Sequence, residues 1–250
     1  MIAADTPPVA PIYGHRCLPG DGKENTLEAL DRVARRMQRP ACEIDAWRLA
    51  DGRWVVVHDA TWARTIDPAT IPAGTPPTVN GSTYAQVRQM RTKDGREVPT
   101  LKKFLNEAQD KRVRLLVEVK NLVPDALLAH HPEVWLYRTP RASDCSTDAI
   151  TAMVQAGYAM GLKEGSCPFT AQQVVDLGVG LAAYFTPELT ANGGALVDAL
   201  KSQGVHPFTV MTSNHDQQVA LAQDGVSVIV PNPILAEQRL LAADAPLPVP

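Results

Sequence analysis

The chain has 250 residues, 45% hydrophobic and 20% charged, with a formal net charge of −3. That length buries a full-sized core, as one large domain or two small ones. The weak negative balance excludes a general electrostatic grip on nucleic acid or anionic membrane, but not a small phosphorylated substrate held by a few local cations. No apolar run approaches the roughly 20 residues that span a bilayer. The first residues, MIAADTPPVAPIYG, carry no basic n-region and no apolar h-region, so a cytoplasmic protein is the expectation. The four cysteines, Cys17, Cys42, Cys145 and Cys167, show no zinc-type spacing. Reduced thiols are the default; a Cys17–Cys42 bridge is conceivable, since both fall near the ends of adjacent predicted strands.

In chain order, residues 1–11 are Pro-rich and predict an extended arm. Residues 12–16 predict a short strand ending in His15-Arg16. After the loop LPGDGK, Asn25 can cap a helix with Glu28 as its capping-box partner. Leu27, Leu30, Ala34 and Met37 then recur at helical spacing. The strand at 42–49 follows, an apolar run interrupted by Glu43 and Asp45. Residues two apart on a strand share a face, so two carboxylates project together from a segment with buried neighbours. Like charges side by side are costly without a cation between them, and oxygen ligands suit a hard divalent ion, Mg²⁺ or Ca²⁺. The turn Asp51-Gly52 and the run 54–57 return His58-Asp59 close to that pair. This stretch is the candidate active site.

Residues 60–98 have no sustained period and several Pro and Gly, which predicts an irregular insertion or small subdomain after the second strand. Leu101, Phe104, Leu105 and Ala108 make another helical face. Residues 114–120 form a strongly apolar strand with Glu118 and Lys120 two apart. Further β-like runs at 134–138, 159–163, 180–186, 207–212 and 227–231 alternate with helical stretches near 146–157, 170–177, 190–203, 214–223 and after Ile234. That alternation implies a parallel sheet with helical crossovers. Eight units over 1–250 match a single α/β domain, a (β/α)8 TIM barrel. A doubly wound open sheet is the rival, with neither a G-x-G-x-x-G turn nor a P-loop in its favour. Catalytic groups of a barrel sit at C-terminal strand ends. His15, Arg16, Glu43, Asp45, Glu118 and Lys120 all fall at or near such ends. Lys163 and Tyr184, near the ends of the fifth and sixth strands, are candidate pocket residues. Glu24 either orients a catalytic group or favours the helix N-terminus. His130, His131, His206 and His215 are expected at the surface or in structural roles.

The ordered series GHRC, KENTLEAL, CEID, DGRWVVVHD, VPTLKKFL and LLVEVK resembles the glycerophosphodiester phosphodiesterase family. The N-terminal half of that family runs H-R-G, P-E-N-T, E-x-D, D-G, H-D, P-T-L and E-x-K in the same order. The likeness covers about residues 14–120, with further similarity in VMTSN (210–214) and GVSVIVPNP (225–233). It implies a TIM barrel of the PI-PLC-like phosphodiesterase superfamily, with a divalent metal, Mg²⁺ or Ca²⁺, at its mouth. It maps the metal ligands to Glu43, Asp45 and Glu118, the catalytic histidines to His15 and His58, and the phosphate contacts to Arg16 and Lys120.

The chemistry agrees with that assignment. In-line displacement at a phosphodiester builds charge on the phosphoryl oxygens, which a divalent cation, Arg and Lys offset. One imidazole removes a proton from the attacking hydroxyl or water and another protonates the leaving alkoxide. The implied activity is metal-dependent hydrolysis of a glycerophosphodiester-like small molecule to a phosphomonoester and an alcohol, within lipid metabolism. Two other readings use the same site: a lysolipid or sphingolipid headgroup with a cyclic phosphate as product, and a specialised biosynthetic metabolite. From another class, an inactive barrel used for binding is disfavoured because all seven key positions are present. No nucleic-acid partner is expected, and the sequence does not set the oligomeric state. The chain departs from the family at Cys17, in place of Gly, and at Lys23, in place of Pro. Pro231-Asn232-Pro233 stands where the family often has Thr-Asp-x-Pro, and residues 121–190 resemble it only weakly. The reaction class is therefore more legible than the substrate.

Overall fold

Along the apolar strands successive side chains point to opposite faces, and a closed barrel uses both. The computed structural model of the chain describes residues 9–18, 23–121, 125, 127, 134–139, 147–163, 169–184, 186–190, 194–210 and 214–243. Its strands are β1 (Ile12–Gly14), β2 (Ala41–Arg48), β3 (Trp54–Val56), β4 (Arg114–Val119), β5 (Val134–Arg138), β6 (Met160–Lys163), β7 (Leu181–Tyr184), β8 (His206–Val210) and β9 (Ser227–Val230). All but β3 are parallel, and β1 pairs with both β9 and β2, which closes the ring. β3 stands outside it, antiparallel to β2 with Ala46 opposite Val56, and is the expected hairpin arm. Between the strands lie α1 (Leu27–Arg36), α2 (Tyr84–Val87), α3 (Leu101–Asp110), α4 (Asp148–Gln155), α5 (Ala171–Asp176), α6 (Thr186–Thr190), α7 (Ala195–Ser202) and α8 (His215–Gln223), and α9 (Pro233–Ala242) follows β9. The architecture is the (β/α)8 TIM barrel. No helix among the described residues is long and apolar enough to cross a membrane.

Strand parity divides the core in two. Ile44, Leu115, Val117, Leu136, Leu162, Ala182 and Val228 face outward against Leu30, Val33, Phe104, Leu105 and their equivalents on the helices. Tyr13, Leu116, Trp135, Tyr137, Leu181, Phe208 and Ile229 fill the inside, and Tyr137 meets Phe208 edge to face at 5.7 Å. Gly161 shares this inner file, and its neighbours explain the absence of a side chain. A Cβ there would lie 2.8 Å from Leu181 Cβ and 3.3 Å from Tyr137 Cβ. Further up the same inward file the residues turn polar: Ala41 is followed by Glu43 and Asp45, and Leu116 by Glu118. The C-terminal mouth is therefore polar and the opposite end dry.

Residues 60–98 are compact despite their lack of period. Trp62, Ile66, Val79, Val87, Met90 and Val98 pack with Trp47, Leu49, Val55 and Val57 as a third core. Isolated bridges Thr61 to Thr78, Ile66 to Thr92 and Arg91 to Glu97 replace regular sheet.

Some boundaries differ from expectation. The first strand ends at Gly14, because His15–Cys17 turns as a single 3₁₀ turn with Arg16 and Cys17 at φ 53° and 54°. The cap of α1 is Thr26, whose hydroxyl accepts the Ala29 N–H, and not Asn25. Glu28 makes no capping box and pairs instead with Lys23 and Arg96. The expected arm is described only from residue 9, and His130, His131, Cys145 and Cys167 lie outside the described residues.

At the dry end, His206 on β8 places Nε2 2.9 Å from Ser227 Oγ, which donates to the Ala10 carbonyl. Burial, with a smaller contribution from Lys201, pushes the His206 imidazole down from 6.5 to about 4. The native state thus refuses a proton that the unfolded chain accepts. The stability tied to this neutral His is full above pH 6.5 and is lost as the pH falls towards 4. We expect a cost of up to about 3 kcal/mol across that window, read as a shift in urea midpoint. His206→Gln should flatten that part of the pH dependence; an unchanged slope would remove His206 as its source.

Candidate active site

The mouth is built by strand ends and the turns that follow them. β2 carries Glu43 and Asp45 inward, and β4 does the same with Glu118, which pairs in register with Asp45 on one side and Tyr137 on the other. Candidate ligand atoms of Glu43, Asp45 and Glu118 all lie within 4.8 Å of one another, and all three residues are buried. Lys120, just past β4, reaches back with Nζ 2.8 Å from Asp45 Oδ1 and 2.7 Å from Glu118 Oε2.

Each carboxylate is held differently. Glu43 Oε2 accepts the Arg16 backbone N–H at 2.8 Å, and Oε1 lies 2.7 Å from the Tyr137 hydroxyl. The same hydroxyl is 3.3 Å from Glu118 Oε2. Asp45 Oδ2 accepts the Asn25 side-chain amide at 3.2 Å. Burial, then the neighbouring Asp45, pushes the Glu43 carboxyl up to about 8. Burial also acts to raise Glu118, but Lys120 and Lys163 outweigh it and bring this group down to about 2. Burial would lower Lys120, yet Asp45 and Glu118 hold it above the usual lysine value.

Among the described residues three carboxylates thus face one contacting ammonium, and Glu43, which has no cationic partner there, has its carboxyl raised by burial and by Asp45. That donor set fits a hard divalent cation: oxygen ligands, convergent geometry and an excess of negative charge. Glu43, Asp45 and Glu118 would hold it.

His15 directly follows β1 and His58 follows β3. Burial, with Arg16 second, pushes the His15 imidazole down to about 4; His58 and Lys163 act in the same sense and Asp45 opposes them. His58 Nδ1 lies 2.7 Å from Asp59 Oδ1, and its carbonyl accepts Trp47 Nε1–H at 3.3 Å. The turn between β1 and α1 is tightened by the Asn25 N–H donating to the Arg16 carbonyl at 2.7 Å, with Asn25 itself at φ 55°. Left-handed residues that are not glycine store strain and persist only where surroundings over-determine them. Here a Cys17–Cys42 disulfide joins that turn to the start of β2, which corrects the expectation of reduced thiols at those two positions. The left-handed turn at Cys17 brings its thiol against Cys42, one residue before Glu43.

The structure therefore brings His15, Arg16, Glu43, Asp45, His58, Glu118 and Lys120 to one mouth, with Lys163 close enough to act on His15 and Glu118. Glu24 joins them through Arg16, whose Nη1 is 3.2 Å from Glu24 Oε2. Tyr184 does not line the pocket. Parity turns Ala183 inward and Tyr184 towards the helices, where its hydroxyl donates to the Phe169 carbonyl at 2.9 Å. Asn25, Tyr137 and Arg64 belong to the site and were not singled out as such. Of these, Asn25 falls in the KENT stretch and Tyr137 is an aromatic on the inward file of a strand beside Glu118, while Arg64 carries no such signal. A cavity of about 300 Å³ borders the mouth between α1 and the insertion, with Lys23, Glu24, Asn25 and Arg64 along its polar side and Val56 and Val57 on its apolar one.

The model of the glycerophosphoryl diester phosphodiesterase family matches residues 15–154. No curated protein matches the chain by sequence. Among solved structures it is similar to a glycerophosphodiester phosphodiesterase from Parabacteroides distasonis, at 16% identity and TM-score 0.73, over 94% of this chain and 98% of that one. An Oleispira antarctica phosphodiesterase in complex with the product sn-glycerol-3-phosphate superposes at TM-score 0.71 with 17% identity, over 92% and 96% of the two chains. A glycerophosphodiester phosphodiesterase from Thermotoga maritima does so at TM-score 0.71 with 16% identity, over 94% and 99%.

The bridge closes a sequence separation of 25 residues. Loop-closure entropy of that size is worth about 3 kcal/mol. The double variant Cys17→Ser, Cys42→Ser should lose that much in denaturant unfolding, and reduced wild type should match it. Equal stability of oxidised protein and double variant would show the bridge to be dispensable.

Proposed function

This chain belongs to the glycerophosphoryl diester phosphodiesterase family and is on that footing a phosphoric diester hydrolase; we propose that it cleaves a glycerophosphodiester-like small molecule into a phosphomonoester and an alcohol, by two-histidine acid/base catalysis at the mouth described above. The observation that carries this reading is the convergence of three buried carboxylates, one ammonium and two imidazoles on one strand-end cluster.

His15 and His58 move the protons, one taking a proton from the attacking hydroxyl or water and the other giving one to the leaving alkoxide. Asp59 orients His58. Its carboxylate can only accept, so the neutral His58 ring carries its proton on Nδ1 and turns Nε2 to the substrate. Burial raises Asp59, but Arg64 and His58 outweigh it and keep the carboxyl below its usual value. Arg16 and Lys120 bind the phosphate. The Nε of Arg16 is buried and has no acceptor among the described residues, so a donor is left for a phosphoryl oxygen. Mg²⁺ or Ca²⁺ on Glu43, Asp45 and Glu118 would supply positive charge against the developing charge on phosphorus-bound oxygen. The product held in the Oleispira antarctica structure is a phosphomonoester of the class proposed here. Nucleic acid has no place in this reading.

The buried disulfide changes the expected compartment. Reducing cytosol keeps most thiols free, so we place the working protein in an oxidising compartment instead. Alkylation before lysis that labels Cys17 and Cys42 would return it to the cytosol.

Phosphorus NMR tests the reaction. EDTA-stripped protein with glycerophosphocholine should give no turnover, and adding Mg²⁺ or Ca²⁺ should release glycerol 3-phosphate. Glu43→Ala should abolish the metal response, and His58→Ala should cost on the order of 10² to 10⁴ in rate. Failure of the stripped protein to bind either metal would sink the proposal.

A further inference from the structure

Arg64 is the first residue of the insertion to reach back to the mouth, and all three nitrogens of its guanidinium bond to carboxylates there. Its Nε–H donates to Asp59 Oδ2. Its two terminal nitrogens donate to Glu24, Nη1 to Oε2 at 3.0 Å and Nη2 to Oε1 at 2.6 Å. Asp59 uses its other oxygen on His58 Nδ1 at 2.7 Å, and Glu24 Oε2 also accepts from Arg16 Nη1 at 3.2 Å. One unbroken chain therefore runs from His58 through Asp59, Arg64 and Glu24 to Arg16. Arg64 is its centre.

We infer that Arg64 is a positioning residue that sets His58 and Arg16 at a fixed separation across the cleft, so that proton transfer and phosphate binding are aligned together. This rests on the reading above, in which His58 and Arg16 act on substrate. Three features single Arg64 out. It is the shared partner of two carboxylates that touch opposite sides of the cleft, whereas Asp59 and Glu24 each serve one side. It works through a planar fork whose N–H directions are fixed by the guanidinium, which an ammonium does not reproduce. It comes from the insertion, so the irregular segment contributes to the mouth more than a covering wall. Lys93 and Arg96, also from the insertion, bond to the Ala63 carbonyl and to Glu28 and Asp94, and none of these touches His58 or Arg16.

The test uses Arg64→Ala and Arg64→Lys in the whole protein, with wild type and His58→Ala alongside. Both Arg64 variants should lower kcat about 100-fold and raise KM several-fold, because the two ends of the chain are released together. Asp59→Asn should move mainly kcat, and Glu24→Gln mainly KM. Double-mutant cycles that pair Arg64→Ala with Asp59→Asn and with Glu24→Gln should be non-additive. The Arg64 side chain is 47% exposed, so millimolar guanidinium should restore part of kcat in Arg64→Ala and none in His58→Ala. Nitrogen NMR of His58 supplies a readout that needs no turnover: its proton sits on Nδ1 in the wild type and spreads over both nitrogens in Arg64→Ala. Full activity in Arg64→Lys, or a His58 ring that stays locked in Arg64→Ala, would overturn the inference. Wild type that leaves the phosphodiester intact would overturn the proposed reaction, while the NMR result would still decide whether Arg64 holds His58.

Discussion

The cost of burying negative charge governs this barrel. Three carboxylates converge within 4.8 Å at its mouth. At such a separation each like-charge pair costs about 3 kcal/mol with an effective dielectric constant near 20. A chain that folds this way needs opposing charge and donors at the same place, and most of the mouth is explained by where they come from. Lys120 offsets Asp45 and Glu118 from the next residue but one of its own strand. Asn25 and the Arg16 N–H reach Asp45 and Glu43 where three left-handed residues, Arg16, Cys17 and Asn25, fold the β1–α1 turn over β2. The Cys17–Cys42 bridge ties that turn to the start of β2.

Much of the frame was legible because it is local. Alternating apolar strands, helical faces and turn residues repeat with short periods, and the E-x-D and H-D pairs declare themselves within one strand and one hairpin. Legibility failed where the determinant is register or return path. The closeness of Tyr137 to Glu43 and Glu118 follows from β5 pairing Tyr137 with Glu118, and nothing within residues 134–138 states that pairing. Asn25 looked like a cap, since Asn, Thr and Ser compete for the same role; Thr26 took it, and Asn25 turned to Asp45. Tyr184 failed by one position of parity, which on a strand exchanges the two faces entirely.

The insertion shows the same limit from the other side. Its sequence has no period, yet it owns a core of Trp62, Ile66, Val79, Val87 and Met90 under the β2–β3 hairpin. An irregular backbone with a packed core is rigid enough to aim a side chain, and a mobile loop would not deliver the fork of Arg64 onto two separate carboxylates. The chain order hides this, because Arg64 lies 40 residues from Glu24.

Charges at the mouth alternate. Lys120 lies between Asp45 and Glu118, Glu24 between Arg16 and Arg64, and Arg64 between Glu24 and Asp59. In such an arrangement each ion is stabilised by two neighbours, so the loss of one leaves two others partly uncompensated. Glu43 breaks the pattern. Among the described residues it has a backbone N–H and a phenol but no cation, and its carboxyl is driven up by burial and by Asp45. Lys120 already satisfies its two partners, so a single added positive charge would have little to do beside them. A divalent ion held by Glu43, Asp45 and Glu118 would supply the positive charge that Glu43 lacks. The carboxyl left without a cation is therefore what fits the cluster to a hard divalent ion better than to a closed buried salt bridge.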